Sequence, residues 1–306
     1  MDSTKPENSI SATAEKHRYE YDIDLDSDVA PARILRMVSR NARVLEIGAG
    51  PGSVTKYLCR VLNCNVTAVD IDPTTIERLK GYTSSVYMLD LNNPTWGEAL
   101  RQQKEGPFDY IIAADVLEHV YDPWTTLGVL KTLLNDGGYV LLSIPHVGHA
   151  SIGACLIDED FEYRPWGLLD QTHIRFFGIK NIQQLCVSQG FCIEQAEFVV
   201  RSPEMTEFAH RWIRLPQDVR RALQRNRFSD VYQVVVKIAP AEWAKASIRL
   251  LDLPVPPPSR SISNYWKTVM ATVRPSDNND ATFTTTDRSI VARWRMSFDR
   301  FWGKRD

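Results

Sequence analysis

The sequence predicts an α/β fold with a parallel, doubly wound sheet. Two observations predict it: apolar runs suited to buried strands recur between residues 44 and 144, and segments of helical character separate them. Strands that alternate with helices of about a dozen residues form parallel sheets with helices on both faces. Ligands of such sheets bind at the carboxyl ends of the strands. The residues that follow each strand are therefore the first candidates for a site.

The first half of the chain contains the regular alternation. Ser27 and Asp28 are placed to cap a helix that runs to about Val38, with Pro31 in its first turn. Strands are predicted at residues 44–45, 66–69, 85–89, 108–114 and 139–144, and helices at 53–61, at 72–80 with Asp72 as its cap, from 94 onward, and at 123–134. Residues 136–138 (Asp-Gly-Gly) predict a turn before the last of these strands.

The second half departs from this alternation. Residues 146–177 mix aromatic, histidine and acidic side chains, and a loop of this length inside a compact domain is usually functional. A helix at 180–189 and a strand at 191–200 follow, and a helical insertion at 203–226 precedes a strand at 231–238. Two strands linked by an insertion suggest an antiparallel hairpin at the edge of the sheet.

The two ends of the chain differ from the domain between them, which spans residues 18–240. Residues 1–17 are polar and predict a disordered N-terminus. An extension over residues 241–306 is predicted to contain a helix at 241–251, a stiff proline-rich linker at 254–258 and an amphipathic basic helix at 287–302. That last helix either lies on an anionic membrane surface or docks on its own domain or a partner subunit. Peripheral membrane contact and a homo-oligomer both stay open.

Composition and charge narrow the class of protein. Of 306 residues, 43% are hydrophobic and 24% are charged, which is ordinary for a globular domain. A net charge of −2 argues against a basic nucleic-acid-binding protein. The five cysteines lack the paired spacing of a metal site, and no apolar stretch approaches the roughly 18 residues of a membrane span. We therefore expect a cytoplasmic protein, with any membrane contact peripheral and at the inner face.

A glycine-rich turn follows the first strand. Gly48, Gly50 and Gly52 occupy every second position, Glu46 precedes them, and Asp70 ends the second strand. Glycine lets the backbone turn tightly and approach a ligand without an intervening Cβ, and an acid at the tip of the second strand can accept hydrogen bonds from both ribose hydroxyls. A carboxylate at the mouth of the turn repels a pyrophosphate but suits a ligand with an ammonium group.

This strand–turn–helix–strand unit resembles motif I of the class I S-adenosylmethionine-dependent methyltransferases. The resemblance covers about residues 16–240 and implies a Rossmann-like, seven-stranded, mostly parallel sheet with S-adenosylmethionine as cofactor. Backbone at Gly48, Gly50 and Gly52 would line the methionine end of that cofactor, with Glu46 near its ammonium. The other implied contacts are Asp70 at the ribose, Ile71 on the adenine face, Asp90 and Leu91 at the adenine edge, and Asp115 near the methionyl portion.

Two later motifs resemble particular branches of that family. Residues 115–123, DVLEHVYDP, resemble a signature of a branch that includes the ubiquinone-biosynthesis O-methyltransferases. Residues 143–151, 161–163 and 167–177 resemble a bacterial branch that often accompanies glycosyltransferases in surface-polysaccharide (O-antigen type) assembly. His146 departs from that branch, which tends to have asparagine after the proline.

Methyl transfer to a hydroxyl requires alignment, exclusion of water and removal of a proton. His173 beside Asp170 is the first candidate for the base, because a carboxylate can orient an imidazole and raise its basicity. The further candidates are His146, His149 and His119, the last of them beside Glu118. Each histidine has a structural alternative as a packing or hydrogen-bonding residue. Arg175 would pair with Asp170 or bind an anionic group of the substrate, and no metal is predicted because the ligand spacing is not compact.

The resulting hypothesis is an S-adenosylmethionine-dependent methyltransferase that O-methylates a sugar hydroxyl in glycan or polysaccharide biosynthesis. Three alternatives remain, which are methylation of a small metabolite such as a quinone or phenolic precursor, a non-catalytic S-adenosylmethionine-binding scaffold, and a membrane-tethered adaptor built around the C-terminal tail. The intact acids Glu46, Asp70 and Asp90 speak against the scaffold.

Overall fold

Seven strands form one sheet in the part of the chain that the structure, a computed structural model, describes, which is residues 22–258. The strands are β1 (Arg43–Ile47), β2 (Asn65–Asp70), β3 (Ser85–Met88), β4 (Phe108–Ala114), β5 (Leu134–Pro145), β6 (Phe191–Val200) and β7 (Val231–Pro240). They lie in the order β3-β2-β1-β4-β5-β7-β6, with β1 to β5 parallel and β7 antiparallel to both β5 and β6. The predicted α/β class, mostly parallel sheet and antiparallel edge hairpin are confirmed.

Helices cover both faces of this sheet, because successive strand residues point to opposite sides. The helices are α1 (Ala30–Arg36), α2 (Ser53–Arg60), α3 (Pro73–Leu79), α4 (Trp96–Gln102), α5 (Pro123–Lys131), α6 (Ala150–Ile157), α7 (Ile179–Ser188), α8 (Ala209–Trp212) and α9 (Gln217–Leu223). In β1, Val44 packs with residues of α1 and α2, whereas Leu45 packs with residues of α4, α5 and α7. Both side chains are fully buried, and burial of each contributes roughly 1.5–3 kcal/mol to stability.

The first helix begins later than the sequence predicts. α1 starts after Val29, and Pro31 lies in its first turn as predicted. Asp28, predicted with Ser27 to cap the helix, instead forms ion pairs with Arg33 and Arg201. A carboxylate between two guanidinium groups forms charge-assisted hydrogen bonds with both, so Asp28 fastens the start of α1 to the end of β6.

The turn predicted at residues 136–138 is a bulge within β5. The strand pairs with β4 through Phe108 and Leu134 and again through Tyr110 and Tyr139, and the register shifts between these two pairs. A β-bulge accommodates extra residues on one strand in this way. The glycine pair therefore interrupts the ladder without ending the strand.

The segment predicted as a loop at residues 146–177 contains one helix, α6. Its sequence, ASIGACLI, is almost wholly apolar and so lacks the amphipathic spacing that reveals a surface helix. Ala150 and Ala154 of α6 pack against Trp212 of α8. The insertion predicted at residues 203–226 forms α8, α9 and a 3-10 turn, and α8 and α9 contact α6.

The prediction of a helix at residues 241–251 is wrong. The chain there runs along the sheet, where the Ile248 amide donates to the Ile193 carbonyl at 2.9 Å. Trp243 Nε1 also donates to the Gly138 carbonyl, at 3.2 Å. Hydrogen bonds to the sheet replace those of a helix, and the segment ends in a 3-10 turn.

Two predicted segments fall outside the described residues. These are the N-terminus at residues 1–17 and the basic helix at residues 287–302. Membrane contact and oligomerisation therefore stay predictions. Among the helices within residues 22–258, none has the length and hydrophobicity of a membrane span.

Candidate functional site

A cavity of about 430 Å³ opens at the carboxyl ends of β1 and β4. This is the edge at which open α/β sheets bind their ligands, and the volume is that of a small-molecule site. Its walls come from the β1–α2 turn, the start of α1, the end of β4, residues 165–173 and the end of β6 with the start of β7. Most of the predicted site residues lie in or beside these walls.

The glycine-rich turn forms one wall of the cavity. Gly48, Gly50 and Gly52 all have positive φ. A Cβ at Gly48 would come within 2.6 Å of Val116 Cγ2, so a larger residue there would displace the neighbouring wall. Space beside Gly50 is open to 4 Å, and its amide donates to Asp70 Oδ2 at 2.9 Å. The turn therefore holds an exposed backbone against open space, with Asp70 fixed next to it.

Glu46 is buried at the base of the same wall. Thr55 Oγ1 donates to Glu46 Oε2 at 2.6 Å. Burial raises the pKa of Glu46 to about 8, against the opposing effect of the Thr55 hydrogen bond. The carboxyl group is thus mostly protonated at neutral pH, and a bound cation would favour its ionised form.

Asp115 closes the wall at the end of β4. It has a φ of +54°, and its two carboxyl oxygens accept hydrogen bonds from Ser143 Oγ at 2.6 Å and from Gln233 Nε2 at 2.8 Å. Burial raises the pKa of Asp115. These contacts hold the side chain at the edge of the cavity, the position expected from the sequence.

The predicted adenine contacts lie beyond the cavity, at the ends of β2 and β3. Ile71 is 63% exposed. Asp90 is partly exposed and accepts a hydrogen bond from the Asn92 amide at 2.9 Å, and Leu91 follows it. Asp72 caps α3 by accepting from the Thr74 amide, as predicted. The adenine roles of Ile71, Asp90 and Leu91 stay predictions.

An acidic and imidazole cluster forms another part of the cavity wall. Both carboxyl oxygens of Glu118 are buried and, within residues 22–258, have no hydrogen-bond partner. Burial raises the pKa of Glu118 well above its ordinary value. His173 Nε2 lies 3.9 Å from Glu118 Oε1, and the His119 ring packs edge-on against His173 at 4.8 Å. Three groups that can exchange or share a proton therefore meet at one point of the cavity.

His173 is oriented by a backbone carbonyl rather than by Asp170. His173 Nδ1 lies 3.3 Å from the Leu168 carbonyl, which can only accept, so Nδ1 carries the proton and Nε2 is left as a base. Asp170 Oδ1 instead accepts from Thr172, at 2.8 Å from its amide and 2.6 Å from its hydroxyl. Burial, together with the neighbouring His119, lowers the pKa of His173 to about 4. Asp170 opposes this shift only through its charge.

The other candidate histidines serve backbone contacts. His119 Nδ1 donates to the Thr172 carbonyl at 3.2 Å, and the residue lines the cavity. His146 lies away from the cavity, where its Nδ1 donates to the Val231 carbonyl at 3.1 Å. His149 caps α6 and donates from Nε2 to the Arg201 carbonyl at 2.9 Å. The proposal of His146 or His149 as base is corrected accordingly, because neither is among the residues that line the cavity, whereas His173 is.

Arg175 contacts neighbours other than Asp170, and its role toward an anionic group of the substrate stays a prediction. Its guanidinium group donates to the Tyr121 carbonyl and stacks over the Trp124 ring, with 5.9 Å between the guanidinium carbon and the ring centroid. These contacts tie the residue to the surface beside the 3-10 turn at Leu117–His119. Arg175 therefore supports the cluster from outside the cavity.

Glu118, His119 and His173 could also hold a metal ion. Each offers one ligand atom, and these atoms lie within 4.8 Å of one another. Metal ligands must be deprotonated, and burial, which raises the pKa of Glu118, opposes this. The sequence-based assignment of no metal therefore stays a prediction.

Several cavity residues were missed by the sequence reasoning. Trp166, Arg201, Tyr232 and Gln233 all line the cavity. Because β7 runs antiparallel, its first residues lie at the carboxyl edge of the parallel strands, and β6 ends at that same edge. The predicted hairpin was the available signal, since it places these residues beside the end of β5.

The residues of the cavity fit a nucleoside that carries a cationic amino-acid end. The space left open beside Gly50 can admit a ligand close to the backbone. Asp70 can accept further hydrogen bonds at the end of β2, and the buried Glu46 carboxyl can take on charge opposite an ammonium group. These observations fit S-adenosylmethionine.

Comparisons with known proteins identify the family of the domain. The family described as "Methyltransferase domain" matches residues 19–196 of the chain. Among solved structures, the plantazolicin methyltransferase BamL is 17% identical, with a TM-score of 0.48 over 75% of this chain and 89% of that chain. A TehB-like S-adenosylmethionine-dependent methyltransferase from Corynebacterium glutamicum is also 17% identical, with a TM-score of 0.42 over 69% and 87%.

The similar curated proteins are biosynthetic enzymes. A ubiquinone biosynthesis O-methyltransferase of Xanthomonas oryzae pv. oryzae is 31% identical over 128 residues, which is 41% of this chain and 52% of that protein. The protein of that description from Xanthomonas campestris pv. campestris is 30% identical over the same shares. The chain thus spans about half the length of the curated relatives it matches.

Proposed function

This chain belongs to the methyltransferase domain family, and from that premise we propose that it transfers a methyl group from S-adenosylmethionine to a hydroxyl of a small aromatic acceptor. The domain is of the class I, S-adenosylmethionine-dependent type. The observation that carries the proposal is the buried His173, whose unprotonated Nε2 is directed toward Glu118 inside the cavity. That arrangement supports removal of a proton from an acceptor hydroxyl.

The apolar part of the cavity lining supports an aromatic ring rather than a sugar as the acceptor. This part includes Val29, Pro31, Trp166, Val199 and Tyr232, and the lining also contains Gln171, Arg201 and Gln233. A sugar presents several hydroxyl groups, and each one buried without a partner costs free energy. An aromatic acceptor instead gains from burial against tryptophan and tyrosine rings.

The low basicity of His173 also supports an aromatic hydroxyl as the acceptor. A base whose pKa is about 4 removes a proton more readily from a phenol, whose pKa is about 10, than from a less acidic aliphatic hydroxyl. The names of the similar curated relatives point in the same direction. The small-metabolite alternative is therefore better supported than the glycan hydroxyl that the sequence put first.

The protein groups would divide the work as follows. S-adenosylmethionine, when bound, supplies an electrophilic methyl group carried on a sulfonium. The acceptor oxygen would bond to the methyl carbon as the carbon–sulfur bond breaks, with that electron pair left on sulfur and S-adenosylhomocysteine leaving, and the acceptor proton would pass to His173 Nε2. Asp170 stabilises the imidazolium that forms through its charge, and the cavity walls exclude water while the acceptor is aligned.

A labelled-methyl assay with paired acceptors tests this proposal. The full chain is incubated with methyl-tritiated S-adenosylmethionine and with either hydroxylated benzoates and catechols or nucleotide sugars and glycosides. We expect label in the phenolic set, because these acceptors match the apolar walls and the weak base. Label in the sugars alone would instead establish the glycan reading, and cofactor binding without transfer to either set would establish the scaffold.

A further inference from the structure

We propose that Glu207, outside the cavity lining, is a positioning residue for His173 and acts through the backbone of Leu168. The Leu168 amide donates to Glu207 Oε1 at 2.7 Å. The carbonyl of Leu168 accepts from His173 Nδ1, at 3.3 Å. One residue thus links a buried carboxylate on the helical insertion to the ring whose Nε2 faces the cavity.

The carboxyl group of Glu207 is itself held in place. Tyr232 donates from its hydroxyl to the two carboxyl oxygens, both at 3.1 Å. Glu207 is 8% exposed and belongs to the segment that leads into α8. A buried carboxylate satisfied by an amide and a hydroxyl is a fixed anchor, because leaving any of these groups unpaired costs free energy.

The backbone at Gly167 approaches the Glu207 carboxyl group so closely that only glycine fits there. Gly167 has a φ of +92°, and a Cβ there would overlap Glu207 Oε1. Glycine alone accepts both the left-handed conformation and the contact. The turn that carries Leu168, Asp170 and His173 is therefore built around Glu207, and is not an incidental neighbour of it.

The consequence for His173 concerns which ring nitrogen carries the proton. In a neutral histidine, the hydrogen bond made by one ring nitrogen decides whether that nitrogen or the other one carries the proton. The groups that face His173 are Glu118 at 3.9 Å, the His119 ring and the charge of Asp170. Facing Glu207 are the Tyr232 hydroxyl and the charge of Arg164. The hydrogen bond of His173 Nδ1 goes to none of these groups. It goes to the Leu168 carbonyl, and Glu207 holds that carbonyl where the ring can reach it.

Nitrogen NMR of the full chain labelled with ¹⁵N-histidine tests the inference without any substrate. The His173 signals are assigned by difference from His173→Asn. We expect the Nδ1-protonated form in the unaltered protein and in Glu207→Gln, whose amide oxygen still accepts from Leu168. Glu207→Ala should shift His173 toward the Nε2-protonated form, and so should Glu207→Asp, which keeps the charge but is too short to reach Leu168. Glu207→Asp keeps the test decisive if Glu207→Ala does not fold.

A matched control lies on the same insertion. Glu204 Oε1 accepts from Trp212 Nε1 at 2.7 Å, away from Leu168, so Glu204→Asp should leave the His173 tautomer unchanged. A tautomer that is unaltered in both Glu207→Ala and Glu207→Asp would overturn the inference, as would an equal shift in Glu204→Asp.

The kinetic consequence rests on the proposed function. We expect Glu207→Asp to lower kcat by about 10- to 100-fold, since misplacement of a reacting group by about 1 Å has effects of this size. The KM of Glu207→Asp for S-adenosylmethionine should change by less than about 2-fold. The separate variant Glu207→Gln should have the kcat of the unaltered protein. If the Glu207 variants shift the His173 tautomer but the unaltered protein transfers no methyl group, the positioning role of Glu207 stands and the proposed function is overturned.

Discussion

Replacing His173 by asparagine is expected to lower kcat by about 10²–10⁴-fold, the usual contribution of a general base. Asparagine keeps a donor near the position of Nδ1 and can still bond to the Leu168 carbonyl, but it has no basic nitrogen facing Glu118. Because the loop is retained, the affinity for S-adenosylmethionine should change by less than about 2-fold. The measurement is steady-state kinetics with the phenolic acceptor, beside a calorimetric titration of the cofactor.

His146→Asn is the matched control for this variant. His146 also donates from Nδ1 to a backbone carbonyl and is equally buried, but it lies away from the cavity. Its kcat per folded molecule should stay within about 3-fold of the unaltered protein, within the range for a side chain that does not touch the reacting atoms. Equal losses in the two variants would show that both histidines only support the fold, and His173 would lose its role as base.

Glu46→Gln is expected to weaken cofactor binding by about 10- to 100-fold and to abolish its coupling to proton release. A charged hydrogen bond contributes about 1.5–3 kcal/mol, and glutamine cannot supply the charge. In the free protein the pKa of Glu46 is about 8, so the group is mostly protonated at pH 7. A bound ammonium lowers that pKa, and binding then releases nearly one proton.

The sign of the pH dependence follows from this release. Affinity in the unaltered protein should rise about tenfold per pH unit from pH 6 toward pH 7.5, because each unit removes the proton that competes with the cation. The window stops below pH 8, where the α-amino group of the cofactor itself titrates. Calorimetry in two buffers of different ionisation enthalpy measures the protons released. Asp230→Asn, at a partly buried acid with a raised pKa outside the cavity, should leave the release unchanged.

An unchanged proton release in Glu46→Gln would contradict this assignment. It would mean that another acid of the cavity, such as Asp115 or Glu118, ionises on binding. Burial raises the pKa of both of those groups as well. The ammonium of the cofactor would then lie nearer the end of β4 than the turn after β1.

The sheet and the cofactor half of the site could be predicted because their signals are local. Asp72 followed by Pro73 marks the start of α3, and the structure shows that cap. Apolar runs between polar turns define the parallel strands, and strand ends then identify Glu46, Asp70 and Asp115 as neighbours of one edge. Each inference needs only residues that lie close together along the chain.

The acceptor half could not be predicted in the same way, because long-range contacts decide it. His173 lies next to Asp170 in sequence, yet the turn directs Asp170 to Thr172 and places Glu118 nearer the ring. α6 escaped detection because it is apolar on all sides. At residues 241–251, bonds to the sheet override helical spacing.

The most direct test of the account is a calorimetric titration of the full chain with S-adenosylmethionine, beside Asp70→Ala and Asp72→Ala. Asp70 is fixed between the Gly50 amide and the Asp72 amide at the end of β2, whereas Asp72 caps a helix, and its loss should cost only about 1 kcal/mol of stability. We expect micromolar binding in the unaltered chain and in Asp72→Ala, and at least about 100-fold weaker binding in Asp70→Ala. No binding by the unaltered chain, or equal binding by all three proteins, would contradict a cofactor site at these strand ends.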